Sequence, residues 1–185
     1  MSTTSLRRDH ELIEKVIKAM QSTIQLLNDN RQIPESILLP VIDFSKNFTD
    51  VCHHSKEENS LFPALEQAGM PRHMGPIAMM LIDHERSREI GKEMESSAKN
   101  YILTGDSTKL ITDMQQYVEH ITEHLWKENN KLFMMAEARL QYVSQKVDKE
   151  LNEIEESKLE GIGKTREHYE QLAETLTRDV LQKGN

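Results

Sequence analysis

The chain carries a single cysteine, Cys52. One thiol excludes an internal disulfide and any all-thiolate metal site, and it fits a reducing cytoplasm. Glycine and proline are scarce, at seven and five residues, while Leu, Glu, Lys, Met, Gln and Ala abound, so the chain is built for helix. Positive charge is in deficit: 23 Lys and Arg stand against 31 Asp and Glu, for a net charge of -8. That balance argues against nucleic acid as a partner, because neutralising phosphates needs clustered basic residues, and Arg7-Arg8 is too small a cluster. No stretch approaches the roughly 18 apolar residues of a membrane span. The opening MSTTSLRRDHELIEK also lacks the apolar segment of a secretory signal. With 185 residues the chain is long enough to bury a real core as one domain.

What the chain has is a pattern written twice. The stretch from His53 to Phe62 is answered by His124 to Phe133, with His, Lys, Glu, Asn, Leu and Phe in the same order at the same gaps. Asp9-His10-Glu11 precedes the first copy and Asp83-His84-Glu85 the second. Residues i and i+4 share a helix face, so each copy aims an imidazole and a carboxylate at one point. Together the two copies offer four histidines (His10, His53, His84, His124) and two glutamates (Glu57, Glu128). That donor set suits a pair of first-row metal ions.

Breakers divide the chain into helices. Periodic apolar residues predict a first helix over 6–27, ended by Asn28-Asp29-Asn30. Pro34 opens a second that runs to Gln67, with Pro40 near its start. Gly75-Pro76 opens a third that ends before Gly105, and Asp106 or Ser107 caps a fourth reaching Leu140. Residues 141–185 form a charged C-terminal hairpin of two helices, broken at Gly161 and Gly163. The expected fold is all-α: an antiparallel up-down four-helix bundle over 1–140, with the extension 141–185 packed on it. The hairpin is also a candidate surface for a protein partner or self-association. In antiparallel neighbours, His10 and His53 lie about equally far from their turn, as do His84 and His124, to within about one helical turn. All four thus reach a similar depth.

The first copy contains two registers, His53 with Glu57 and His54 with Glu58. The second copy contains only His124 with Glu128, which aligns with His53 and Glu57. His54 is then either a group behind the ligands or an additional ligand, and Glu58 a group behind them. His120, one turn before His124, has the same two readings besides that of a solvated side chain. Leu61-Phe62 and Leu132-Phe133 read as core residues capping the site, Met79-Met80 and Met134-Met135 as packing, and Tyr101 and Tyr117 as buried aromatics. Trp126 reads as core or as a residue covering the tail, and His73 and His168 as surface residues.

These motifs, most specifically HHSKEENSLFPALEQAG, DHERSR and EHLWKENNKLFMMA, resemble the hemerythrin-like, or HHE cation-binding, family over about residues 6–140. The resemblance implies a four-helix bundle holding two non-haem irons joined by an oxo or hydroxo bridge, with manganese or zinc as substitutes. It implies that His10, His53, His84 and His124 are terminal ligands and that Glu57 and Glu128 bridge. The oxygen carriers of the family have a further histidine where this chain has Arg88, and His-x4-Asp where it has His-x3-Glu. Arg88 cannot bind iron, but it can hydrogen-bond an anionic ligand or a nearby carboxylate. With six ligands, both irons keep an open position. That count favours chemistry with O2, peroxide or nitric oxide, of a catalase-like, peroxidase-like or nitric-oxide-related kind, over reversible carriage. A sensor or an iron-donor module for iron-centre repair is the alternative. Many repair proteins carry an additional cysteine-bearing N-terminal domain, and no cysteine precedes Cys52 here.

Overall fold

The computed structural model describes residues 3–184. Helix α1 (Thr4–Asn28) ends where Asn30 turns into the left-handed region at φ 56°. A second rod, residues 35–67, begins as α2 (Glu35–Asp43), which contains Pro40. It continues as two π-helical segments, Phe44–His54 and Glu57–Leu61, and ends as α3 (Phe62–Gln67). Helix α4 (Gly75–Thr104) stops at Gly105, whose left-handed φ of 77° lets its amide close the last turn on Tyr101. Asp106 Oδ1 then accepts the amide of Thr108 at 3.0 Å in the turn before the next helix, whose N-cap is Ser107. The fourth rod is α5 (Thr108–Lys127), a π-helical segment Glu128–Leu132 and α6 (Phe133–Arg139). Helices α7 (Ser144–Gly161) and α8 (Arg166–Gly184) follow. The fold is all-α, with no strand among the described residues.

Helix α4 lies against α5, α5 against α1, and α4 against α2 and the Phe44–His54 segment, so the four rods form a bundle. Helix α8 lies on α1 and α2, and α7 on α1 and both π segments of the second rod. Their buried faces merge with the bundle core. Tyr169, Ala173, Leu176 and Val180 belong to an apolar cluster with Phe44, Phe48 and Ile13, while Val147 and Leu151 belong to another with Leu61, Phe62 and Phe133. The charged composition of this tail hides a continuous apolar stripe on each helix. Between the two apolar clusters lies one polar layer.

The π-helical segments depart from the plain α-helix expected from periodicity. A π turn bonds i to i+5, and such turns gather at functional sites. Both Glu57 and Glu128 open one. No residue type announces a π turn, because its register is set by what the side chains must meet. Three packing expectations also need correction. Met79 and Met134 are more than half exposed, and Trp126 is exposed with Lys131 Nζ 5.2 Å over its ring, so it lies neither in the core nor under the tail. Single exposed apolar residues of this kind are ordinary surface.

Tyr169 tests how firmly the tail is attached. It is fully buried, with its ring 5.8 Å from Phe44 and 5.2 Å from Phe48. Tyr169→Ala should cost about 3–5 kcal/mol, lowering Tm by roughly 10 °C in a thermal melt. Leu181→Ala, at an exposed position on the same helix, should stay within about 0.5 kcal/mol.

Candidate metal centre

The polar layer gathers the repeated residues. His10, His53, Glu57, His84, His124 and Glu128 are each at most 2% exposed. His10 Nε2 lies 3.2 Å from His53 Nε2 and 3.2 Å from Glu128 Oε2. Glu57 Oε2 lies 3.7 Å from His53 Nε2 and 3.2 Å from His84 Nε2. Glu128 Oε1 lies 3.4 Å from His124 Nε2 and 3.9 Å from His84 Nε2. Donor atoms of His10, His53, Glu57 and Glu128 all fall within 4.8 Å of one another, and so do those of Glu57, His84, His124 and Glu128. Both carboxylates therefore belong to both groups.

The repeat extends to what holds these side chains. His53 Nδ1 donates to Asp9 Oδ2 at 3.2 Å, and the related His124 Nδ1 lies 3.7 Å from Asp83 Oδ2. Lys56 Nζ donates to Asp9 at 2.8 Å, and Lys127 Nζ to Asp83 at 3.1 Å. The residue after each glutamate reaches the histidine of a neighbouring rod. His84 Nδ1 donates to Glu58 Oε1 at 2.8 Å and His10 Nδ1 to Asn129 Oδ1 at 3.0 Å. Phe62 stacks on His84 and Phe133 on His10, at 5.7 and 5.0 Å between ring centres. Each half thus repeats one arrangement, an acceptor outside the ring and an inner nitrogen facing the centre, with Asp83 standing beyond hydrogen-bond distance of His124.

A model of the hemerythrin HHE cation binding domain matches residues 1–136. The chain belongs to the hemerythrin HHE family. Among curated proteins it is similar to the iron-sulfur cluster repair protein YtfE of Enterobacter sp. (strain 638). That match is 29% identical over 88 residues, covering 45% of this chain and 40% of the relative. It is similar to YtfE of Escherichia coli O1:K1 / APEC at 28% over the same length. The aligned stretch spans less than half the length of these curated relatives. No solved structure matches.

The donor set of this hemerythrin-like bundle fits metal ions. Both oxygens of Glu57 and of Glu128, with His84 Nε2 and His124 Nε2, are buried and have no hydrogen-bond partner. Leaving one buried polar atom unpaired costs about 1–3 kcal/mol, and more for a charged group, and bound cations would satisfy this cluster. Burial pushes the Glu128 carboxyl up to about 8, and burial followed by the Glu128 charge pushes Glu57 well upward. Burial also holds His53 and His84 well below the ordinary imidazole range and brings His124 down to about 3. Neutral imidazole is the form that ligates. Burial pushes the Cys52 thiol up to about 12, so it offers no thiolate beside His53.

The other candidates separate clearly. Glu58 holds His84 from behind, as above. Arg88 does not face the centre: its Nε donates to Asp50 at 2.8 Å and its other arm to Glu58 at 2.7 Å. Of its two expected partners, the structure gives it the carboxylates. His120 Nε2 donates to the Asp83 carbonyl at 2.8 Å and approaches Ser87 Oγ at 3.0 Å, so it braces α4 against α5. His54 is fully buried, with its ring stacked 4.0 Å from that of His84. His73 lies on the surface and His168 is half-buried against Tyr169.

Sequence reasoning missed Asp50, Asn129, Glu155 and Arg166. Arg166 donates to Asp9 Oδ1 at 2.7 Å and to Glu155 at 3.1 Å, and Lys56 also donates to Glu155 at 2.6 Å. Burial works against the charge on Asp9, but the His53 hydrogen bond and the charges of Lys56, His53 and Arg166 keep it far below the usual carboxylate range. The recurrence of Lys56 at Lys127 and of Asp9 at Asp83 was the signal in the sequence for this network.

The two lysines make a matched pair. Lys56 is fully buried, whereas Lys127 is 22% exposed. Lys56→Met leaves Asp9 with His53 and Arg166, and Glu155 with Arg166 alone, and should cost about 3 kcal/mol. Lys127→Met should cost less than about 1 kcal/mol. Urea unfolding of both variants checks the ranking, and equal losses would contradict it.

Proposed function

We propose that this hemerythrin-like protein is a non-haem di-iron protein that binds or reacts with O2, peroxide or nitric oxide. In this reading His10 and His53 hold one ion, His84 and His124 hold the other, and Glu57 and Glu128 bridge them. The observation that carries it is the membership of both carboxylates in both donor groups. The bound irons would supply redox change and a place for a small ligand.

The chain's own residues do the rest. Asp9, Asn129 and Glu58 accept from Nδ1 of His53, His10 and His84 and hold these imidazoles in the tautomer that leaves Nε2 free, while Asp83 lies 3.7 Å from His124 Nδ1. Phe62 and Phe133 stack on ligand rings and exclude water from the polar layer. Every proposed ligand is buried, which restricts access to diatomic or peroxide-sized molecules. Arg88 is occupied by Asp50 and Glu58, so its charge steadies two outer acceptors and does not meet the incoming ligand. No helix among the described residues is long and apolar enough to cross a membrane, and the reading assigns the protein to the cytoplasm.

A second reading is an iron donor for damaged iron–sulfur centres. Similarity to proteins called iron-sulfur cluster repair protein supports it. Metal analysis and an optical spectrum of freshly purified protein test what the two readings share. Two irons per chain, with near-ultraviolet charge-transfer absorption, support a di-iron centre; a protein that takes up no more than one iron overturns it. Consumption of peroxide or nitric oxide then favours the reactive protein, and iron transfer to an apo iron–sulfur protein favours the donor.

Variants sharpen the assignment. His53→Ala and His124→Ala should each lower bound iron by at least one ion per chain and reduce Tm, because each leaves the carboxylates short of compensating charge. His168→Ala should change neither. Glu57→Gln should disrupt the centre more than Glu58→Gln, since a neutral amide bridges two cations poorly. The opposite ranking would mean that His54 and Glu58 are the true pair.

A further inference from the structure

Helix α8 reaches a proposed iron ligand through one side chain. Arg166, at the start of α8, sends Nη1 to Asp9 Oδ1 at 2.7 Å and to the two oxygens of Glu155 on α7 at 3.1 and 3.2 Å. Asp9 Oδ2 accepts from His53 Nδ1 at 3.2 Å and from Lys56 Nζ at 2.8 Å. Lys56 Nζ also donates to Glu155 and to Ser5 Oγ, both at 2.6 Å. Asp9 and Lys56 are fully buried. Both oxygens of Asp9 are thus occupied, one by the bundle and one by the tail. Arg166 and Glu155 lie beyond residues 1–136, the extent of the family match.

The repeat supplies an internal control. Asp83, His124 and Lys127 reproduce Asp9, His53 and Lys56, and Lys127 keeps its bond to Asp83 at 3.1 Å. Among the described residues no guanidinium meets Asp83. There the carboxylate stands 3.7 Å from His124 Nδ1, and among the described residues that nitrogen has no hydrogen-bond partner. The same three side chains make the Asp–His bond in the half that the tail covers and leave it unmade in the other. Fastening the tail does not require Arg166. Tyr169, Ala173, Leu176 and Val180 already bury α8, and replacing a buried ion pair by apolar side chains is often neutral or stabilising. Charge balance is not the reason either, because Arg166 and Glu155 arrive as one cation and one anion. What they add to Asp9 is a fixed direction.

We propose that Arg166 is a positioning residue for the metal centre: through Asp9 it fixes His53, so α8 must be docked for the ion at His10 and His53 to be held tightly. This inference rests on the di-iron reading above and gives the C-terminal helices a task within it. Coupling of this kind runs both ways, so an ion bound at His53 strengthens the docking of α8 by the same factor. The ion at His84 and His124 has no such link, and its retention is indifferent to the tail.

The test loads the full chain with iron-57 and compares wild type with Arg166→Gln and Leu176→Ala. Leu176 is a buried residue of α8 outside the Asp9 network, so Leu176→Ala loosens the same helix and leaves Arg166 in place. Circular dichroism confirms which variants fold, and release of iron to a competing chelator is the readout. Arg166→Gln should release one of its two irons about ten-fold faster or more, the usual effect of losing a group that orients a ligand. Its Mössbauer spectrum should change for one iron of the two. Leu176→Ala should lower Tm and yet release iron at close to the wild-type rate. Wild-type release and spectrum in a folded Arg166→Gln with two irons bound, or equal acceleration in Leu176→Ala, would overturn the positioning role and leave the di-iron reading intact. If Arg166→Gln does not fold, amide exchange in wild type decides: iron loading should slow exchange along α8, and equal rates with and without iron overturn the proposal. Wild type that takes up no more than one iron overturns the di-iron reading and the proposal with it.

Discussion

Two carboxylates, Glu57 and Glu128, face each other in a layer that water does not reach, and much of the structure answers that constraint. Their oxygens find no donor in the protein, and burial resists their ionisation. An apolar core would be cheaper, and cations bound in the layer would offset the cost of burying these carboxylates. The histidines around it are held neutral, so they present lone pairs and leave the compensating charge to come from outside. The apolar clusters on either side keep the layer dry. Metal binding is then coupled to folding stability, because the site does not exist in the unfolded chain.

The π segments are part of the same answer. Two of the three begin at one of the two glutamates, so the register shifts directly after each His-x-x-x-Glu pair. After that shift Glu58 and Asn129 point to His84 and His10 on neighbouring rods. An unbroken α-helix would put those side chains about 100° away from their glutamates with no later adjustment. The local backbone thus serves the outer hydrogen bonds as much as the inner donors.

The six inner residues were readable because their chemistry recurs at fixed spacing and helical periodicity gives each a direction. The four rods and the two tail helices were readable from breakers and apolar stripes for the same reason. Asp50, Asn129, Glu155 and Arg166 were not, because each acts across a gap between elements far apart in sequence. Asp50 resembles any acid on an amphipathic helix, and Glu155 and Arg166 sit in a tail rich in charge. Arg88 was legible as a departure from the carrier pattern, but its direction was not. Two outer carboxylates, visible only once the rods are assembled, draw it away from the centre.

The tail explains why two nearly identical half-sites end up different. In the first half Lys56 is sealed under α7 and α8, and Asp9 receives His53, Lys56 and Arg166 while Glu155 balances the added charge. In the second half Lys127 remains part-exposed, and Asp83 shares it with the surface residue Glu123. Charge pairs screened by water hold geometry weakly, and buried ones hold it firmly. The acceptor behind His53 is therefore fixed by four elements at once: α1, the second rod, α7 and α8. The acceptor behind His124 rests on α4 and the fourth rod alone. The hairpin that looks like an appendage in sequence is joined to the centre by one hydrogen-bonded step, from Arg166 through Asp9 to His53. Arg166 is thus the contact through which α8 bears on the carboxylate that orients that imidazole.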